Sequence, residues 1–400
     1  MWAQERPYLL SYTAAMIRKL RLMTPGPAPV HPAARAAATS PLPHHRAAGF
    51  KPCFAAVQEG LRSAFRTDGP VAVLAASGTG AVEAALVNLF SAGDRVVVLA
   101  GGKFGQRWAE VAEAYGMRVK TVHVEAGQTI TADDAAEAVA SFRPVSGLVM
   151  TASETSTGAA VNVAEIAAAT RRLEPDAVIV VDAITAVGAF PIETDAWELD
   201  AVCGGSQKAF MIPPGLGFVA CSARGWERIH SGPAKPRYYF DLRKYARSAS
   251  HDQTPFTPAT SLILQLQAAL GAIGDAGGID ALEDNAQALA AATRAAAEAL
   301  ELSLLSPESP SAAVTAIRAP RSGMAPDIVA AMRQRHDLFI AGGQGDLKPD
   351  VFRIGHLGYI DEVDLLGTLA TLERVLASLG HQVHVGASVA AAVAVLEARG

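Results

Sequence analysis

Gly205-Ser206-Gln207-Lys208-Ala209-Phe210 sets one lysine between a short apolar run, Leu199 to Val202, and a Pro-Gly loop, Pro213-Pro214-Gly215. Upstream, Ala177-Val178-Ile179-Val180-Val181 runs directly into Asp182. A short, continuous, β-branched run of this kind reads as a strand buried on both faces of a parallel sheet. Catalytic side chains in α/β folds gather where such strands end. The Asp182 carboxylate and the Lys208 amine are therefore expected to face one crevice.

Taken singly, Lys208 reads as a surface lysine and Asp182 as a helix cap. As a pair behind two strands they meet the demands of pyridoxal 5'-phosphate (PLP). A lysine amine condenses with its aldehyde, and a carboxylate keeps its ring nitrogen protonated.

Toward the N-terminus the strand–helix alternation repeats. Val71 to Leu74 reads as a strand, Ser77-Gly78-Thr79-Gly80-Ala81 as a glycine-rich turn, and Val82 to Leu89 as a helix. Such a turn gathers free backbone N–H groups and the positive end of a helix dipole, which suits a phosphate. The turn lacks the third glycine of a dinucleotide fingerprint and the Gly-Lys of a P-loop. Arg95 to Ala100 is the next strand, followed by Phe104 in the loop beyond its end and a helix through Trp108, Val111 and Tyr115. Phe104 is placed to lie on a planar cofactor. Residues 117–124 alternate as a strand with one wetter face. Leu148 to Met150 forms another strand, and the hydroxyl-rich Ser153-Glu154-Thr155-Ser156-Thr157-Gly158 either binds a ligand or caps the helix near Val163. Repeated strand and helix imply an α/β fold whose mostly parallel sheet is covered on both sides.

After Gly217-Phe218-Val219-Ala220 the pattern changes. Residues 233–257 are rich in Pro, Tyr and Arg and read as an exposed loop, ending in Gln253-Thr254-Pro255-Phe256-Thr257-Pro258, that returns to the site or reaches a partner chain. A helix from about Ser261 runs into an Ala-rich helix near 283–300. Then come a strand after 311, a helix over Pro326 to His336, a strand over Val351 to Ile354 and a helix over Val363 to Leu379. That last helix carries a core stripe of Leu366, Leu369, Leu372, Leu376 and Leu379. Residues 386–397 are predicted to form a closing helix. The expected organisation is an N-terminal arm and lead-in segment (1–40), a large cofactor domain (41–265) and a small α+β domain (266–400). Arg353 interrupts an otherwise apolar strand. It reads either as a planar fork for a substrate carboxylate or as an edge-strand arginine paired to a surface acid. His356 reads as a structural histidine.

Composition agrees with a packed enzyme: 400 residues, half of them hydrophobic and 18% charged. A net charge of -5 gives no reason to expect nucleic acid or an anionic membrane. Cys53, Cys203 and Cys221 form no CxxC and no zinc spacing, so no metal site is expected and a reducing, cytoplasmic setting fits. Residues 1–22 read as an arm or short helix rather than a signal peptide, and Thr24-Pro25-Gly26-Pro27-Ala28-Pro29 as a rigid extended segment.

These motifs, in this order, resemble the class V aminotransferases of PLP fold type I, in the alanine–glyoxylate/serine–glyoxylate (serine–pyruvate) group. The likeness is carried by Thr24-Pro25-Gly26-Pro27, Ser77 to Ala81, Phe104-Gly105-Gln106-Arg107-Trp108, Glu154 to Gly158, Val181-Asp182-Ala183, Gly205 to Ala209, Thr254-Pro255 and Phe352-Arg353-Ile354-Gly355-His356. It implies that Lys208 bonds the cofactor aldehyde and moves the proton, and that Asp182 pairs with the pyridinium nitrogen. Gly80 and Ala81 would offer N–H groups to the phosphate, with Gln207 helping to hold it, and Thr155 would bind near the ring. Thr254 would reach the neighbouring subunit's cofactor in a homodimer, and Arg353 would take the substrate carboxylate. The implied reaction is transamination from serine or alanine to glyoxylate or pyruvate. Phe104 stands where relatives often carry tryptophan, and Ala81 where some carry histidine. Within the fold, a cysteine desulfurase would need a cysteine after Cys221, a 2-aminoethylphosphonate transaminase would need further cations, and an idle assembly subunit would not need Lys208.

Overall fold

The computed structural model describes residues 18–232 and 236–398; most of the expected arm over 1–22 lies outside the described residues. Elements follow in chain order: β1 (Arg21–Leu22), α1 (Pro32–Ala37), α2 (Phe50–Phe65), β2 (Ala72–Leu74), α3 (Gly78–Leu89), β3 (Arg95–Ala100), α4 (Lys103–Ala114), β4 (Arg118–His123), α5 (Ala132–Ala140) and β5 (Gly147–Thr151). Next are the short strands β6 (Ser153–Glu154) and β7 (Ala159–Ala160), then α6 (Val163–Leu173), β8 (Val178–Asp182), β9 (Ala201–Gly205), β10 (Gly217–Ala220), α7 (Ala223–Ser231), α8 (Leu242–Ala249), α9 (Thr260–Asp275) and α10 (Ile279–Ala299). The chain finishes with β11 (Val314–Arg318), α11 (Ala325–His336), β12 (Leu338–Phe339), β13 (Ala341–Gly342), β14 (Val351–Gly355), α12 (Glu362–Ser378) and α13 (Ala387–Glu397).

The large sheet has seven strands in the order β2-β10-β9-β8-β5-β3-β4. The pairs β3–β4, β3–β5, β5–β8 and β8–β9 are parallel, while β10 runs antiparallel to β2 and β9. Alternate residues serve opposite cores. Val97, Leu99, Leu148, Met150, Ile179 and Val181 join one cluster with α2, and Val96, Val98, Val149, Val178 and Val180 join the other with α3 and Trp108. Both faces are therefore covered, and the continuous apolar runs follow from that double burial. Within this sheet, edge strand β4 is the partly exposed one, in keeping with its mixed polar and apolar sequence.

The C-terminal sheet is antiparallel in the order β11-β14-β13, so β14 and its Arg353 are central rather than at an edge. Helices α10 to α13 share its core, in which Leu365, Leu369, Leu372 and Leu376 are buried while Leu366 and Leu379 pack at the margin. Met23 belongs to the same core, and β1 pairs with β12, so the lead-in segment is bound to the C-terminal part. Helix α9 packs on α1 and α2 and runs unbroken through the boundary expected at 265.

Four local expectations change. Helix α3 begins at Gly78, not Val82, with Ser77 Oγ accepting from Gly80 N. Phe104 lies in the first turn of α4, not in a loop. Residues 242–249, read as loop, form α8 behind an Asp241 cap. Only Leu242 and Tyr245 of that helix are buried, too sparse an apolar pattern to announce it. The hydroxyl-rich segment builds the β6–β7 hairpin instead of capping α6, a task done by Asn162.

Candidate active site

Parallel register aligns the strand ends: Thr151 of β5 lies beside Asp182 of β8, and Asp182 beside Cys203 of β9. The chain then turns through Ser206, whose hydroxyl donates to Pro213 O at 2.8 Å and accepts from Leu216 N at 3.2 Å. That pinch presents Lys208. Its Nζ donates to Pro25 O at 2.7 Å, so the Thr24-to-Pro27 segment is a wall of the site. Gly26 sits at φ +131°, a backbone conformation that favours glycine, and a Cβ there would push the end of the Lys208 side chain aside.

Asp182 is 3% exposed. Its Oδ2 accepts from Trp108 Nε1 at 2.9 Å and its Oδ1 from Ile184 N at 3.0 Å. Burial pushes its pKa up to about 7 against those donors, with Glu154 adding repulsion and Lys208 opposing it. Lys208 is pulled down to about 8, chiefly by burial, with Asp182 resisting and Arg353 assisting. A buried acid that, among the described residues, forms no ion pair is set to receive a cation, and a protonated pyridine nitrogen fits that need.

Both groups line a cleft of about 490 Å³ with Ser77, Gly78, Thr79, Phe104, Arg107, Trp108, Ser153, Thr155, Ile184, Thr185 and Gln207. Gly78 and Thr79 open α3, where N–H groups have no carbonyl one turn back to bond. Gly80 N is held by Ser77 Oγ at 3.4 Å. Ala81 N already donates to Ser77 O at 3.1 Å, so of this turn it is the amide least free for a phosphate, contrary to expectation. The Gln207 side-chain oxygen is buried without a partner; rotated, the amide presents its NH2 to an anion. Lysine, acid, aromatic ring and anion cradle lie in one cleft, and the donor set fits PLP.

An adjoining cleft of about 850 Å³ shares Phe104, Thr155 and Lys208 and adds Thr24, Pro25, Gln344 and Arg353. Arg353 is 5% exposed. Nε and Nη2 donate to Gly342 O at 2.9 and 2.7 Å, and Nη1 to Thr155 O at 2.6 Å. Burial brings its pKa down to about 10, and Glu154 works against that. Carbonyls, not a surface acid, hold the fork in place.

Thr254 is not brought to these clefts. It is buried in a separate crevice with Tyr239, Tyr245 and Phe256, its hydroxyl donating to Phe256 O at 2.8 Å. His356 is structural as expected: it is buried and neutral, with Nε2 at 2.8 Å from Thr315 Oγ1, and burial holds its pKa down at about 3. Sequence reading gave no role to Trp108, whose indole holds Asp182, or to Glu154. The buried Glu154 carboxylate accepts from Phe104 N and Gly105 N at 3.0 Å each and from Ser156 N at 3.1 Å. It thereby caps α4 from a different strand. The one available signal was an acid set among apolar and hydroxyl residues just after β5.

Fold and site define a fold type I PLP enzyme. The class V aminotransferase profile matches residues 34–354, and the chain belongs to that family. It is 42% identical, over 94% of its length and 98% of the other's, to a Synechococcus protein named soluble hydrogenase, small subunit. That name describes the other protein; the family and the site define this one. It is 30% identical to the serine–glyoxylate aminotransferase of Methylorubrum extorquens, covering 93% of this chain and 94% of that one. Among solved structures, an aspartate aminotransferase of Thermus thermophilus superposes with a TM-score of 0.83 at 34% identity, over 90% of this chain and 99% of that one.

The protein is thus a PLP-dependent aminotransferase. When bound, PLP supplies the aldehyde that takes up an amino group and a ring that draws charge from the substrate carbon. Of the residues lining this cleft, Lys208 would be the one to bond it and Asp182 the one to hold its ring nitrogen protonated. Cys53, Cys203 and Cys221 are all buried, and none offers the mobile thiolate that a desulfurase requires. Among the described residues no single helix is long and apolar enough to cross a membrane.

Proposed function

We propose that the enzyme moves the amino group of serine or alanine to glyoxylate or pyruvate, as a cytoplasmic homodimer. One observation carries the choice of donor. Of the residues lining the substrate cleft, Lys208 and Arg353 are the charged ones. Arg353 suits the α-carboxylate that every amino acid donor carries. A second carboxylate, as in aspartate, or a phosphonate, as in 2-aminoethylphosphonate, would enter the cleft without a cation of its own, at a desolvation cost. A methyl or hydroxymethyl side chain carries no such charge. Thr24, Thr155 and Gln344 add polar contacts on the same wall.

Lys208 then serves as the base. With its pKa at about 8, roughly a tenth of its amine is neutral at pH 7, against about one part in 3,000 for an unperturbed lysine. The neutral amine would take the proton from the substrate α-carbon and return it to the carbon on the cofactor side of the shared nitrogen, two bonds away. Dimer formation is supported by the exposed Tyr238 and Tyr239 beside the Thr254 crevice and by the role that the family likeness implies for Thr254. Three unpaired, buried cysteines accord with a reducing compartment.

The test is a half-reaction screen. The holoenzyme is mixed singly with L-serine, L-alanine, L-aspartate and 2-aminoethylphosphonate, and the absorbance of the bound cofactor and the released keto product are followed. Glyoxylate or pyruvate is then added to reverse the change. Serine or alanine should react at the highest kcat/KM. Faster turnover of aspartate or of the phosphonate would overturn the assignment, and a spectrum unmoved by every donor would indicate an idle subunit. Sedimentation of the holoenzyme as a monomer would overturn the dimer.

A further inference from the structure

Two other partly buried arginines, outside the clefts, sit against acids: Arg66 with Glu193, Asp280 and Glu283, and Arg171 with Asp200. Arg107 does not. It is half-buried on the wall of the cofactor cleft, and its hydrogen bond is a long one, Nη1 to the neutral Thr79 Oγ1 at 3.4 Å. Its guanidinium lies over the Phe104 ring, 4.9 Å from the centroid. Among the described residues no acid forms an ion pair with it. Guanidinium carries five N–H donors and keeps its proton at any working pH. A cation so placed has most of its bonding capacity unspent.

Its position follows from helix spacing. Arg107 is three residues after Phe104 and so on the same side of α4. The bond to Thr79 brings it to the first turn of α3. There the amides of Gly78 and Thr79 have no intrahelical acceptor and the helix dipole is positive. Two positive features converging on one point of a cleft repel each other unless an anion lies between them. Asp182 and Lys208, which belong to the cofactor's ring nitrogen and aldehyde, line the same cleft. The anion left to place is the phosphate.

We propose that Arg107 binds the cofactor phosphate directly, and that this contact sets the preference for phosphorylated over unphosphorylated pyridoxal. Phe104 then has two duties: one face of its surroundings is the cofactor cleft, and its ring steadies the guanidinium that closes the phosphate end. The proposal rests on PLP being the cofactor and not on which donor or acceptor is used, so a failed donor screen leaves it standing.

The full-length protein, freed of cofactor, is titrated with PLP and separately with pyridoxal, with binding read from absorbance and tryptophan fluorescence. Arg107→Gln should weaken PLP by about ten- to hundredfold, as expected for loss of a charge-assisted contact, and leave pyridoxal within about threefold. Arg107→Lys should keep part of the preference, since it keeps the charge without the fork. Inorganic phosphate should compete with PLP less well in Arg107→Gln than in the wild type. Equal weakening of both aldehydes would mean a structural role and overturn the proposal. So would an unchanged PLP affinity, or an unchanged PLP-to-pyridoxal ratio with a raised KM for aspartate, which would assign Arg107 to a substrate carboxylate. If Arg107→Gln does not fold, Arg107→Met supplies the same comparison.

Discussion

Replacing Trp108 with phenylalanine removes one N–H and keeps an aromatic ring in the core. That N–H donates to Asp182 Oδ2 at 2.9 Å and is shared with Thr151 Oγ1 at 3.1 Å. With it gone, the amide of Ile184 is the remaining donor to the carboxylate. A hydrogen bond to a charged acceptor contributes about 1.5–3 kcal/mol, and a pKa unit corresponds to about 1.4 kcal/mol. Asp182 should therefore rise from about 7 by about one to two units, nearer one because the N–H is shared. The sign for stability follows from an acid raised above its ordinary 3.8. Between that value and about 7 the folded, cofactor-free protein keeps a proton that the unfolded chain has lost. Its stability therefore falls as pH rises through this window. In Trp108→Phe the fall should continue about one unit further. Denaturant unfolding of the cofactor-free protein from pH 5 to 9 reads this directly. The infrared band of the protonated carboxyl, assigned with Asp182→Asn, checks that Asp182 is the group. PLP affinity at pH 8 should also drop, about twofold for a rise of one unit and about tenfold for two, since a protonated acid cannot hold the ring-nitrogen charge. A carboxyl band and an unfolding profile that titrate as in the wild type would refute the reasoning.

Lys208→Ala should lower kcat by at least about a thousandfold, and borohydride should no longer fix the cofactor's mass to the chain; a turning-over, reducible variant would remove Lys208 from its role. Gly26→Ala forces an L side chain at φ +131° onto Lys208 Nζ. It should cost about 1–3 kcal/mol in strain and displace the amine, seen as slower bonding of PLP; kinetics like the wild type's would count against the close approach. Glu154→Gln turns an acceptor-only carboxylate into an amide against the N–H groups of Phe104, Gly105 and Ser156. A loss of about 2 kcal/mol in unfolding free energy is expected, and a change under about 0.5 kcal/mol would show the cap to be dispensable.

The sheet was legible because its information is local. Val178 to Asp182 and Arg95 to Ala100 are continuous β-branched runs, and burial on both faces requires such runs whatever lies next to them. Lys208 and Asp182 were legible for a related reason: each ends or follows a strand, and parallel strands present their ends on one side. Helix α8 was not, because two buried residues among charged ones leave no period to read. Ala81 was assigned an N–H that the first turn of α3 spends on Ser77, a consequence of the helix starting four residues earlier than its apolar pattern.

What the chain's own order of residues determined, then, was the layered α/β plan, a lysine and an acid meeting in one cleft, and Arg353 as an anomaly in an apolar strand. Tertiary structure alone decided what surrounds them. Trp108 meets Asp182, Pro25 meets Lys208, Glu154 caps α4, and Arg107 faces the start of α3. Each of these contacts joins segments far apart along the chain, and each depends on which strand lies beside which and in what register. Periodicity fixes a residue's face on its own element. The neighbour across the gap is set by how the elements pack, and nothing within one turn or one strand of the sequence encodes that distance.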